Sequence, residues 1–152
     1  MAGVDEAIRS RPPVTLAAVG AGDPETVLDR FYDAMARGDV EAARACWTPD
    51  GVVWHSYDQV AMHIDDIVPH WKAFVAATTE RRFGDIRRVA TPNGFVQQFA
   101  SIQSYASGER TGCPVCIVAR VRDGLLARID EYVDRAGAFV PKDGEPLTPG
   151  LP

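Results

Sequence analysis

Apolar residues recur at helical spacing through the first half of the chain and alternate as in strands through most of the second. Val27, Leu28, Phe31, Ala34 and Met35 fall on one helix face, which Gly38 brings to a stop. Asp23 before Pro24 supplies a cap and a first-turn proline, so the pattern predicts a helix over 23–37. Asp39 caps a second, short helix over 39–47 through Ala42, Ala43 and Cys46. Thr48-Pro49-Asp50-Gly51 reads as a turn that leads into a short strand from Val52 to Ser56. A third helix, 66–80, carries Ile67, Trp71, Phe74 and Val75 on one stripe, with Pro69 in its first turn, where proline is tolerated.

From residue 82 the texture becomes that of a sheet. Arg82 to Thr91, Gly94 to Tyr105, Arg110 to Arg122 and Leu125 to Val133 are long runs separated by Pro92-Asn93-Gly94, Ser107-Gly108 and Asp123-Gly124, which have the turn chemistry of tight hairpins. Helices followed by an antiparallel meander make an α+β domain in which a strongly curved sheet wraps the first helix. Residues 1–22 and 137–152 are rich in Gly, Pro and Ala without an apolar period, so they read as a flexible N-terminal arm and a C-terminal tail around one domain, 23–136.

Composition narrows the partners. The 152 residues carry 16 Lys plus Arg against 21 Asp plus Glu, and a net charge of -5 repels phosphate backbones and acidic membranes. No apolar run approaches a membrane span, and Asp5, Glu6, Arg9 and Arg11 stand where a secretory leader would be apolar, so a cytoplasmic location with no nucleic-acid or membrane partner is expected. Three cysteines cannot all pair within one chain and read as thiols.

The helix ending FYDAMARGD, the segment PDGVVWHS and the final hairpin VRDGLLARIDEYVD resemble the SnoaL-like group of the nuclear transport factor 2-like superfamily, over roughly residues 23 to 136. That group includes polyketide cyclases, ketosteroid isomerases and limonene epoxide hydrolases. The resemblance implies a conical pocket between helices and sheet, lined by apolar residues with a few polar groups, and frequent dimerisation through the outer face of the sheet. It does not fix a reaction, because one fold serves many chemistries. Where ketosteroid isomerases place a general-base carboxylate, at the end of the first strand, this chain has His55. Where they place the tyrosine and aspartic acid of the oxyanion hole, it has Phe31 and Ile117. Counting back from Gly108 puts the arginine and first aspartate of the epoxide hydrolases on Gln98 and Ala100, and their last aspartate on Glu131. His55, Gln98 and Glu131 remain as polar groups on pocket positions.

Strand alternation supports Glu131 independently: Ile129, Glu131 and Val133 share one face, while Asp130, Tyr132 and Asp134 share the other. A carboxyl group between buried apolar neighbours must be paired or protonated. Paired with His55, it would orient the ring and raise its basicity as a general base. The competing expectation is that His55 bonds to a loop and Glu131 meets an arginine. Phe31, Tyr32, Trp54, Ile117 and Ile129 make up the expected apolar lining, although Trp54 and Trp71 suit the core or rim as well as a substrate clamp, and Tyr32 reaches the pocket only if the helix is rotated.

Other motifs carry less chemistry. His55, His63 and His70 have no compact metal spacing, and His63 and His70 suit solvated or capping roles; neither a metal nor a cofactor is called for. Cys113-Pro114-Val115-Cys116 has redox or zinc spacing, but on a strand its thiols point to opposite faces. Arg81, Arg82, Arg87 and Arg88 read as the solvated side of an outer strand. Three functions stay open: a cofactor-independent enzyme doing acid–base chemistry (isomerisation, cyclisation, dehydration or hydrolysis) on an apolar or polycyclic metabolite, a binder of such a ligand without turnover, and a dimerisation module. A homodimer is expected through the outer face around Tyr132, Cys116 and Val118.

Overall fold

The computed structural model describes residues 26–141. The cap assigned to Asp23 and Pro24, the N-terminal arm and most of the C-terminal tail lie outside those residues. The described part of the first helix, α1 (Val27–Arg37), has its own cap: Thr26 accepts from the Asp29 backbone N–H, and the Asp29 carboxylate accepts from the Thr26 N–H at 2.8 Å. Gly38, at φ 76°, closes the helix by donating to the carbonyls of Ala34 and Met35. Asp39 caps α2 (Val40–Ala45) by accepting from the Ala42 N–H at 3.0 Å.

The expected turn at Thr48-Pro49-Asp50-Gly51 is absorbed into a long strand, β1 (Trp47–His55). Its chemistry survives as a register irregularity: Trp47 pairs with Leu126 and Val52 with Arg128, so the Pro-Asp-Gly segment bulges away from its neighbour. A short strand that the sequence pattern did not predict, β2 (Ala61–His63), pairs back onto β1. Helix α3 (Ile64–Ala77) follows at once, two residues before the expected start, because His63 Nδ1 accepts from the Asp65 N–H at 3.2 Å and caps it. Pro69 therefore falls in the second turn rather than the first.

The meander matches the expected boundaries: β4 (Gly94–Tyr105), β5 (Arg110–Arg122) and β6 (Leu125–Val133), preceded by β3 (Thr78–Thr91), which starts four residues earlier than expected, where α3 ends. Asp123 and Gly124, both at positive φ, form the two-residue β5–β6 turn. The strands make one curved, unclosed six-stranded sheet in the order β2-β1-β6-β5-β4-β3. All pairings are antiparallel except β1 with β6. The architecture is the α+β, nuclear transport factor 2-like one. The core lies between α1 and the concave face of the sheet, with Leu28, Ile117 and Leu126 fully buried. Among the described residues no helix is long and apolar enough to cross a membrane.

Two of the four arginines are not on a solvated face. Arg88 is buried; it donates to both carboxylate oxygens of Asp29 at 2.6 and 3.0 Å, to Thr26 Oγ1 at 2.7 Å and to Gln97 Oε1 at 2.7 Å, tying the N-terminus of α1 to β3 and β4. Arg81 donates to the carbonyls of Met35 and Ala36 at the C-terminal end of α1 and to that of Thr78. The alternation misleads here because β3 is irregular between Gly84 and Arg87, with Asp85 at φ 54°, and the faces exchange across the irregularity. Arg82 and Arg87 are exposed as expected.

Candidate functional site

A cavity of about 400 Å³ opens between α1, α3 and the concave face of the sheet, within the range of small-molecule sites. Its apolar walls come from Phe31 and Tyr32 of α1, Ile67, Trp71 and Phe74 of α3 and Phe83 of β3. The rings pack on one another: Phe31 lies 5.3 Å from Trp71 and 4.9 Å from Tyr32, which itself lies 4.9 Å from Phe83. Helical spacing puts Phe31 and Met35 on the cavity, and Tyr32 reaches it as well, its ring turned toward the sheet.

His55 and Glu131 stand on the cavity wall together. They are partners across the parallel β1–β6 pairing, and His55 Nε2 lies 3.4 Å from Glu131 Oε2. The histidine is buried; the carboxyl is enclosed by protein on nearly all sides, with 26% of its side chain open, and it is the cavity it opens to. Burial pushes the Glu131 carboxyl up to about 7, only partly offset by the positive charge of Arg135. Burial likewise lowers the His55 imidazole; Asp58 opposes this, while Arg135 and His70 add to it. Both shifts favour the uncharged forms, so at neutral pH the pair holds a neutral ring beside a carboxyl that is about half protonated. Tyr32 is held neutral by burial and by the negative charge of Glu131, and its hydroxyl makes no hydrogen bond among the described residues.

The other expected site residues separate. Gln98 is exposed on the opposite face of the sheet, opposite Cys116. Its neighbour Gln97 is the fully buried one, since adjacent residues of a strand take opposite faces. Trp54 also points to the outer face, its ring 5.3 Å from that of Tyr132, because it alternates with the inward Val53 and His55. Ile117 and Ile129 do turn inward, but they lie in the packed core beneath the cavity rather than on its surface. Cys113 faces the cavity and Cys116 a groove on the outer face, as their three-residue spacing requires.

Several lining residues were not predicted. His70 lies one helical turn from Ile67 and Phe74, so the stripe that predicted α3 carried the signal for it. Ser101 and Gln103 follow Phe99 by strand alternation, and a correct register would have found them. Tyr57, after β1, and Arg135, after β6, belong to irregular segments with no period to read. Among the described residues no group of three or more His, Cys, Asp or Glu side chains is arranged to hold a metal ion.

Solved structures with the same fold are numerous. A candidate polyketide cyclase from Xanthomonas campestris pv. campestris is 18% identical, with 71% of this chain and 87% of that chain covered and a TM-score of 0.63. A candidate polyketide cyclase from Pseudomonas putida is 16% identical, with 74% and 95% covered and a TM-score of 0.64. A protein with a ketosteroid isomerase-like fold from Catenulispora acidiphila, solved with trimethylamine, is 12% identical, with 71% and 86% covered and a TM-score of 0.61. At such identities the likeness shows the fold alone. No curated protein matches the chain. Residues 28–129 match the SnoaL-like domain, and with two thirds of its length inside that match the chain belongs to the SnoaL-like domain family.

Proposed function

We propose that the protein is a small enzyme that moves protons on an apolar or polycyclic ketone held in the cavity, without a cofactor, and that His55 and Glu131 are the exchanging pair. The observation that carries this is the 3.4 Å approach of His55 Nε2 to Glu131 Oε2 on the wall of a cavity built largely from aromatic and aliphatic side chains. Apo hydrogen bonds at catalytic pairs are often this long and shorten when a ligand is bound.

The chemistry balances within the pair. Neutral His55 takes a proton from the carbon next to the ligand carbonyl: the C–H bond breaks, an N–H bond forms, and an enolate remains. Glu131, as carboxylate, stabilises the resulting imidazolium. Return of the proton to another carbon gives an isomer. If the enolate carbon attacks a second carbonyl of the same ligand, a C–C bond forms and the proton passes to the new alkoxide, closing a ring. The Tyr32 hydroxyl takes the place of the oxyanion donors missing at Phe31 and Ile117; a neutral, buried phenol is a strong donor to developing negative charge. The cyclase assignments of the neighbouring structures favour ring closure among these outcomes.

Hydrogen–deuterium exchange tests this without knowledge of the natural substrate. With 2-tetralone in D2O, the wild-type protein is expected to speed label uptake next to the carbonyl, His55→Ala to abolish the acceleration and Tyr32→Phe to reduce it by on the order of a hundredfold. Binding without accelerated exchange supports the second reading, a non-catalytic ligand carrier, which the replacement of both relatives' catalytic sets favours.

A further inference from the structure

The structure assigns Arg135, set over the Tyr57 ring at the mouth of the cavity, as an anion-binding subsite, so that the ligand is an apolar ring compound carrying a carboxylate or similarly anionic oxygen at one end. This rests on the acid–base reading of the same cavity and narrows its substrate class.

Three groups line up along one wall. The guanidinium carbon of Arg135 lies 3.7 Å from the centre of the Tyr57 ring, and that ring lies 5.0 Å from the His55 ring at 25° to it. Arg135 also approaches the Tyr57 hydroxyl closely enough to act on its ionisation, and a guanidinium packed on an aromatic ring keeps further N–H donors at its edge that suit the two oxygens of a carboxylate.

Arg135 has no ion-pair partner among the described residues. Arginines elsewhere in the sheet are occupied, Arg88 by Asp29 and Arg128 by Asp130. Asp58 and Glu131 face the same cavity without meeting Arg135 within 4.0 Å. It is the one arginine among the described lining residues, and every other positive group there is a histidine.

Position decides how a ligand would lie. An anionic end placed deep in the cavity would face the Glu131 carboxyl and the aromatic floor of Phe31 and Trp71, where desolvation is unrewarded. Placed at the mouth, it meets Arg135, and the ring system extends inward past His55. The same contact bears on the base. Six other titratable groups among the described residues face the His55 ring or share its cavity: Tyr57 and Asp58 after β1, His70 of α3, Cys113 of β5, Glu131 of β6 and Tyr32 of α1. Arg135 is the only permanent cation beside them among the described residues, and its charge disfavours protonation of His55. A bound anion offsets that charge, so the ligand strengthens the base that acts on it.

Calorimetric titration of the full chain with 2-naphthoate and with the neutral 2-naphthamide separates the possibilities. Wild type is expected to bind naphthoate on the order of tenfold more tightly than naphthamide, the ratio expected of one charge-assisted pair. Arg135→Gln should erase that preference by weakening naphthoate binding far more than naphthamide binding, and Arg135→Lys should restore only part of it, since an ammonium lacks the planar fork of donors. The NMR titration midpoint of His55 should rise when naphthoate binds wild type and stay in place in Arg135→Gln. Equal loss of both ligands in Arg135→Gln, or a preference that survives it, overturns the subsite. Equal binding of the two by wild type overturns the subsite alone, and binding of neither overturns the cavity reading beneath it.

Discussion

Nε2 of His55 lies 3.4 Å from Oε2 of Glu131 because β1 and β6 run parallel and place the two residues at the same register position. Each is more than seventy residues from the other in sequence, and neither strand alone would bring a second polar group to the cavity. Their ionisations respond to the shared burial in opposite ways, and that has a measurable consequence for stability.

Glu131 is raised from 4.5 to about 7 on folding, so on its own it destabilises the protein as pH rises from 4.5 through 7, by roughly 3 kcal/mol at most. His55 is lowered from 6.5, so on its own it destabilises the protein as pH falls below 6.5. Where the windows overlap, folding takes up a proton at Glu131 and releases one at His55, and the slopes cancel. Relative to wild type, His55→Gln should lose stability between pH 5 and pH 8, and Glu131→Gln should gain it. Urea denaturation at the two pH values checks this; parallel curves for all three proteins would rule out the neutral pair.

The Arg88–Asp29 ion pair at 2.6 Å holds α1 against the sheet, and the arginine keeps the Asp29 carboxyl down at about 2 from 3.8. Asp29 is 37% exposed, so solvent screens part of the interaction, and Asp29→Asn should cost about 1–2 kcal/mol at neutral pH. A depressed carboxylate stabilises above its unfolded value, and the contribution is lost as pH falls from 3.8 through 2. Arg88→Met should cost more, about 2–4 kcal/mol, because it strands Asp29 and leaves Gln97 without its partner. Thermal melts at pH 7 and pH 3 give both numbers, and a variant gap that does not narrow in acid would contradict the assignment.

Gly112 exchanges two backbone hydrogen bonds, each 2.8 Å, with Phe139, and the phenyl ring lies over it. A Cβ at this position would stand 2.5 Å from the ring edge. Gly112→Ala is therefore expected to destabilise by about 1–3 kcal/mol through overpacking, and Phe139→Ala to remove most of that penalty. A double-mutant cycle by urea denaturation measures the coupling; additive effects would mean the ring does not rest on the glycine.

We propose a homodimer through the outer face of the sheet, where Tyr132 is 50% and Val118 38% exposed and Trp54 packs on Tyr132. Tyr132→Lys should convert the dimer to monomer in light scattering at micromolar concentration without changing the binding of cavity ligands. A wild-type protein that is already monomeric there would dismiss the proposal.

Within the meander, alternation between short turns was enough to place the three final strands to the residue and to turn Glu131 inward, because an antiparallel hairpin carries its own register in its turn. The pattern also placed Phe31 on the inner face of α1 and separated the thiols of Cys113 and Cys116. It failed where register is set by non-local pairing. Gln98 was assigned to the wrong face, and so was Arg88 across the irregularity in β3, since one residue of slip exchanges every side chain between the faces. The parallel meeting of β1 with β6 has no local turn to announce it. Only the folded sheet could set the His55 ring beside the Glu131 carboxyl, and only the irregular segments after β1 and β6, which have no period to read, could bring Tyr57 and Arg135 to the mouth of the cavity. The chain's own pattern determined which faces are buried; long-range pairing decided which polar groups share a buried face, because that depends on distances between strands far apart in sequence.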